Sequence, residues 1–226
     1  DYKNNRFSDV KFPEPVYEFW PDSNPEYDTE IFRFNYNSLI TQKTVYDYNM
    51  KNQSMVIRKQ YEVLGGYDKE NYFTERLAAK ADDGTEIPIS IVYRKEVTKN
   101  GKNPLFLYGY GAYGSCADPY FSSSRISLLD RGFVFAIAHV RGGGEMGRPW
   151  YDDGKLFNKK NTFTDFINCA EYLISEKYTD SDHLVIQGES AGGLLAGAVM
   201  NMRPELFKAV IVKVPFVDVI NTMLDK

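Results

Sequence analysis

Gly188-Glu189-Ser190-Ala191-Gly192 (GESAG) joins two runs of different character. Before it, His183 to Gln187 (HLVIQ) is a short apolar run bounded by polar residues, which reads as a buried strand. After it, Ala191 to Met202 (AGGLLAGAVMNM) mixes small and apolar residues and reads as a tightly packed helix. A G-x-S-x-G at a strand-to-helix junction is a pattern that presents a serine hydroxyl as a nucleophile. The chemistry explains the glycines: the serine sits on a sharp, strained turn, so its neighbours must lack bulk.

Outward from the elbow, two patterns divide the chain. Residues 1–66 carry short runs alternating at period two: Val16 to Trp20, Glu30 to Phe34, Thr44 to Tyr48 and Met55 to Lys59. Asn, Asp, Ser and Pro separate them, which predicts antiparallel strands, about four and so one propeller-type blade. Residues 67–226 change character after Gly65-Gly66. Glu75 to Ala81 and Ile87 to Tyr93 flank Asp82-Asp83-Gly84-Thr85, a hairpin signal. Continuous apolar strands then follow at Leu105 to Tyr108, Phe133 to Val140, Leu184 to Gln187 and Ala209 to Val214, with helices between. The clearest helix is Asn161 to Lys177, with Thr162-x-x-Asp165 as its expected capping box. Alternating strands and helices predict an α/β domain with a parallel sheet covered on both faces.

Acyl transfer needs a nucleophile, a base, an orienting acid and an oxyanion hole. Ser190 supplies the first, and the backbone N–H of Ala191 is placed to donate to the oxyanion. A second donor is expected from Gly109-Tyr110-Gly111-Ala112-Tyr113-Gly114, where the Tyr110 hydroxyl can reach the same oxygen. No base is evident. Both histidines, His139 and His183, precede Ser190, whereas α/β-hydrolases order the triad Ser, Asp or Glu, His. His183 opens the strand that Ser190 ends, about 20 Å away, and His139 is expected two strands across, about 10 Å away. Both read as structural. Arg141-Gly142-Gly143-Gly144-Glu145 lacks the lysine of a phosphate loop and reads as a structural loop in which Arg141 pairs with Glu145.

A net charge of −4 gives no basic footprint for nucleic acid. No run of 18 apolar residues would span a membrane. Cys116 and Cys169 show no metal spacing and read as packing thiols in a reducing, cytoplasmic setting; no cofactor or metal is expected. The chain opens without Met and reads as an internal piece of a longer protein.

The runs YGYGAYG (108–114), FSSSRISLLDRGFVFAIAHVRGGGEMGRPWYDDGK (121–155), NTFTDF (161–166), GESAGG (188–193) and RPELFKAVIVKVPFVDVINTMLD (203–225) resemble the prolyl oligopeptidase family of serine peptidases, in its oligopeptidase B branch. The resemblance implies a β-propeller capping an α/β-hydrolase domain and cleavage of short peptides after Arg or Lys. It implies Ser190 as nucleophile, Tyr110 and Ala191 as oxyanion donors, and Asp118 and Tyr113 as substrate contacts. Two departures stand out. Glu189 replaces a common glycine, and Tyr120 replaces the second of two aspartates that bind an additional basic residue. The triad Asp and His, and the carboxylates selecting the basic residue, are expected beyond Lys226. Two further readings remain open: an esterase of the same fold, or a non-catalytic module if the native chain ends here. Comparing an acyl ester with an Arg-amide peptide, and the length of the reading frame, would separate them.

Overall fold

The computed structural model describes residue 7 and residues 9–225. The four alternating runs form β1 (Tyr17–Pro21), β2 (Ile31–Ser38), β3 (Thr44–Asn49) and β4 (Met55–Gln60), close to their predicted limits. They pair antiparallel in the order β1-β2-β3-β4. Aromatic side chains pack one face: Phe34 stacks on Tyr46 with centroids 5.5 Å apart, and Phe12 on Tyr36 at 5.2 Å. Each such pair contributes about 0.5–1.5 kcal/mol beyond its buried area.

The second sheet has six strands: β5 (Tyr72–Lys80), β6 (Glu86–Arg94), β7 (Leu105–Gly109), β8 (Val134–Ala138), β9 (Leu184–Glu189) and β10 (Ala209–Lys213). Their order is β10-β9-β7-β8-β6-β5. The strands β10, β9, β7 and β8 run parallel, as the alternating pattern predicts. The β5–β6 hairpin, turning at Gly84 with φ 85°, adds antiparallel to β8, so the sheet is mixed rather than wholly parallel.

Five helices are present among the described residues: α1 (Ser123–Leu129), α2 (Arg148–Asp152), α3 (Lys159–Ser175), α4 (Ala191–Met202) and α5 (Val219–Leu224). None is long and apolar enough to cross a membrane. Because strand residues alternate between faces, Leu105, Leu107, Ala136 and Ile186 bury with Phe166 of α3 and Leu195 of α4. Phe106, Phe135 and Ile137 point to the other face, against Ile126 and Leu129 of α1. Each fully buried Leu or Ile contributes about 1.5–3 kcal/mol, so this two-sided burial fixes the sheet. The chain passes from β7 to β8 on one side and returns to β9 on the other. The crevice between the carboxyl ends of β7 and β9 is therefore the switch point where ligands bind in open α/β sheets.

Two expectations are corrected around Arg141. The helix α3 starts at Lys159, so Thr162 and Asp165 lie inside it and form no capping box. Tertiary partners claim them instead. The Thr162 hydroxyl donates to the Arg141 carbonyl at 2.7 Å, and fully buried Asp165 accepts from Arg141 Nε at 2.9 Å and Nη2 at 2.6 Å. Arg141 Nη1 reaches Asp83 Oδ2 at 2.6 Å, which draws the Asp83 carboxyl down to about 2. Arg141 therefore does not pair with Glu145, which turns to His139 and to the Ala117 amide. A third correction concerns the thiols: Cys169 is buried in the core, but Cys116 is exposed. We expect Asp165→Ala to destabilise the fold by about 3–5 kcal/mol, because it strands a buried guanidinium. A lower melting temperature of the full-length protein checks this, and an unchanged one would refute it.

Candidate active site

Ser190 caps α4 with φ 54° and ψ −116°, a region that side-chain-bearing residues rarely occupy. Backbone bonds hold it there. Its N–H donates to the Lys213 carbonyl at 3.0 Å, and its carbonyl accepts from the amides of Phe216 and Gly193, each at 2.9 Å. The flanking glycines meet a steric limit. A Cβ at Gly188 would stand 1.7 Å from the Gly192 carbonyl oxygen, and one at Gly192 would stand 2.6 Å from the Gly109 carbonyl oxygen. The result is an exposed Ser190 at the carboxyl end of β9.

Ala191 is the first residue of α4, so its amide has no acceptor within the helix and is free to face an anion. Tyr110 follows β7 and lies against the elbow, its ring Cδ2 3.4 Å from the position of a Gly192 Cβ. Burial, then the neighbouring Tyr113, pushes the Tyr110 phenol up, so it stays protonated and able to donate at neutral pH. The loop is pinned behind it: Lys159 Nζ donates to the Gly111 carbonyl at 2.5 Å, and the Gly114 amide to that of Gly142 at 3.0 Å. Tyr113 is exposed on this loop.

Neither histidine can serve Ser190. His139 is buried after β8, two strands from β9, with Nε2 2.6 Å from Ser90 Oγ and Nδ1 3.4 Å from Glu145 Oε1. His183 stands at the opposite end of β9, with Nδ1 2.5 Å from Asp180 Oδ1. Glu189 points across to β10, where its carboxylate meets Lys213 Nζ at 3.2 Å. Asp118 is exposed, and burial followed by the nearby Glu145 raises its carboxyl. A cavity of about 530 Å³ opens on the α1 face of the sheet, lined in part by Tyr108, Asp118, Tyr120, Arg125, Glu189 and Lys213. Ser190 does not line it, so Asp118 stands beside the Ser190 crevice rather than at its centre.

A sequence profile of the prolyl oligopeptidase family matches residues 119–226. The dipeptidyl aminopeptidase BI of Pseudoxanthomonas mexicana is 52% identical over 217 residues, covering 96% of this chain and 30% of its own. Protease 2 of Moraxella lacunata is 46% identical over 216 residues, 96% of this chain and 31% of its own. The chain belongs to the prolyl oligopeptidase family. Solved structures agree. Oligopeptidase B from Trypanosoma brucei, with covalently bound antipain, superposes with a TM-score of 0.86 at 46% identity, over 95% of this chain and 31% of its own. Oligopeptidase B from Leishmania major gives 0.86 at 47% identity, over 95% and 30%. The chain thus spans less than a third of the length of these prolyl oligopeptidase relatives.

Lys159 and Glu145 went unnoticed in the sequence as supports of these loops. Their bonds to Gly111 and Ala117 span 48 and 28 residues, and no local pattern signals them. Burial draws the Lys159 ammonium down to about 8 from 10.5. The folded state therefore releases this proton before the unfolded state does, and stability gains as pH rises from about 8 towards 10. We expect melting temperatures between pH 7.5 and 9.5 to move in favour of the wild type over Lys159→Met. Parallel curves for the two proteins would exclude that linkage.

Proposed function

We propose that the protein carrying this chain is a serine peptidase that hydrolyses short peptides after Arg or Lys, with Ser190 as nucleophile. The observation that carries this reading is Ser190 itself: exposed and strained at the β9–α4 junction, beside the free Ala191 amide and Tyr110. Ser190 Oγ attacks the scissile carbonyl carbon while a base takes its proton. The Ala191 N–H and the Tyr110 hydroxyl donate to the oxygen that becomes negative. The C–N bond then breaks, the amine leaves with the proton, and water hydrolyses the acyl-serine ester. Both histidines are committed elsewhere, so the base and its orienting acid come from outside residues 1–226.

Preference for a basic residue before the cleaved bond rests on the resemblance to oligopeptidase B, and Asp118 at the cavity rim suits an additional basic residue. Asp118 and Tyr113 act as substrate contacts. In the same reading, residues 1–66 are the terminal blade of a β-propeller that admits only short chains, and residues 67–226 are the N-terminal portion of the α/β-hydrolase domain. The four-stranded antiparallel meander supports the blade. The free Cys116 and Cys169 suit a cytoplasmic protein.

In the full-length protein, Ser190→Ala should lower turnover of an Arg-containing chromogenic peptide at least about 10⁴-fold. Tyr110→Phe should lower kcat about 100-fold with KM little changed, since the phenol acts only as charge develops. Wild-type turnover by the Ser190→Ala protein would falsify the assignment.

A further inference from the structure

A run of polar groups crosses from exposed Arg76 on β5, through the interior, to the loop after Tyr110 without touching Ser190. Arg76 Nη1 on β5 donates to Ser90 Oγ on β6 at 2.8 Å. Ser90 Oγ lies 2.6 Å from His139 Nε2, and His139 Nδ1 lies 3.4 Å from Glu145 Oε1. That same Glu145 oxygen accepts the Ala117 N–H at 2.9 Å. The direction of every proton follows. The Glu145 carboxylate only accepts, so the histidine proton sits on Nδ1 facing it; Nε2 of the neutral ring then accepts the Ser90 hydroxyl hydrogen, while Ser90 Oγ accepts from Arg76. Burial holds the imidazole below its ordinary range, which keeps it neutral in this role. Ser90 is fully buried, and the His139 side chain is 2% exposed, so the trio is no second hydrolytic triad despite its residue types.

The acceptor end of this chain is unusual for a purely structural bond. Glu145 is 10% exposed, yet its Oε2 has no hydrogen-bond partner. A Cβ at Gly143 would stand 2.2 Å from that oxygen, so glycine there makes room for the carboxylate. Buried carboxylate oxygens are normally satisfied, and an apolar side chain would fill the space more cheaply. What the carboxylate does achieve is a grip on one amide. The run Cys116 to Tyr120 forms no helix or strand. Its described hydrogen bonds hold it at the Ala117 N–H and at the Tyr120 carbonyl, which accepts from Arg125. Asp118, the residue next to the first of these anchors, lines the cavity beside the nucleophile's crevice.

We propose that Glu145 is the positioning residue of the Cys116–Asp118 segment: oriented by His139, it holds the Ala117 amide and so sets where the Asp118 carboxylate meets a cationic substrate side chain. The proposal rests on the peptidase reading above and assigns a specificity role to a group that never contacts substrate. With Tyr120 in place of a second aspartate, Asp118 acts alone on that side chain, and its placement matters more.

The test uses the full-length protein and two peptides that differ only in the residue before the cleaved arginine, Arg in one and Ala in the other. Glu145→Ala should raise KM for the Arg-Arg peptide about tenfold, change kcat less than about twofold, and leave KM for the Ala-Arg peptide near the wild-type value. In an Asp118→Asn background the same substitution should raise KM no further, because the two residues act through one contact. Glu145→Gln, which keeps a carbonyl oxygen for Ala117, should recover most of the loss. If the alanine variant does not fold, Glu145→Asp takes its place, since one methylene less withdraws the carboxylate from the amide. Equal KM rises on both peptides, or a full effect in the Asp118→Asn background, overturn the proposal. Amide hydrogen exchange over residues 115–118 reads the tether independently of cleavage: faster exchange in the variant is expected, and unchanged exchange overturns it. Faster exchange in a protein whose wild type cleaves neither peptide overturns the peptidase reading and leaves the tether standing.

Discussion

The bare backbone contact between Gly188 and Gly192 is the constraint on which the rest of the site depends. The strand β9 ends and α4 begins with one residue between them, so the two backbones converge until no Cβ fits at Gly188. Ser190 absorbs the turn at a cost of about 1–3 kcal/mol, offset by its bonds to Lys213, Phe216 and Gly193. Two of those partners belong to β10 and the loop after it. The elbow is therefore held by the neighbouring strand as much as by its own sequence. Tyr110 is drawn into the same arrangement, because Gly192 rests against the Gly109 carbonyl at the end of β7. Removing the glycines would separate Ser190 from Tyr110 as well as straighten a turn.

Polar groups in this chain are spent mainly on holding loops. Arg141 anchors the end of β8 to α3 and to the β5–β6 turn through Asp165 and Asp83. Lys159 and Glu145 each reach across to one backbone group of the segment after β7. In the proposed mechanism the loop's tyrosine and aspartate keep fixed positions, and an irregular loop has no ladder of its own to supply that. Buried charge tied to backbone does the job at a cost in desolvation. That division also accounts for where the histidines sit: one links the Ser90 hydroxyl to the Glu145 carboxylate in the interior, and the other closes the start of β9.

What could be read from the sequence followed from local periodicity. The strands β1 to β4 alternate cleanly because one face packs aromatics, and the elbow's strand and helix are bounded by its own glycines. Errors arose where a local pattern met a distant demand. Thr162-x-x-Asp165 has the form of a capping box, yet Arg141, just after β8, takes both side chains away from the helix end: Asp165 at its guanidinium and Thr162 at its carbonyl. Arg141 and Glu145 look like natural partners four residues apart, but the loop turns them to opposite sides. The candidate site divides along the same line: the placement of Ser190, Ala191 and Tyr110 was legible because adjacent residues signal it. The supports at Lys159 and Glu145 were not, because only the folded sheet brings them to the loop.

The bonds from Lys213 and Phe216 to Ser190 also impose an order of events. During synthesis the serine leaves the ribosome before the strand that bends it into place. Until residues 213–216 emerge and pair with β9, the nascent chain carries a relaxed serine with no oxyanion site beside it. The strained presentation of Ser190 is thereby withheld from the chain until its neighbouring strand is in place.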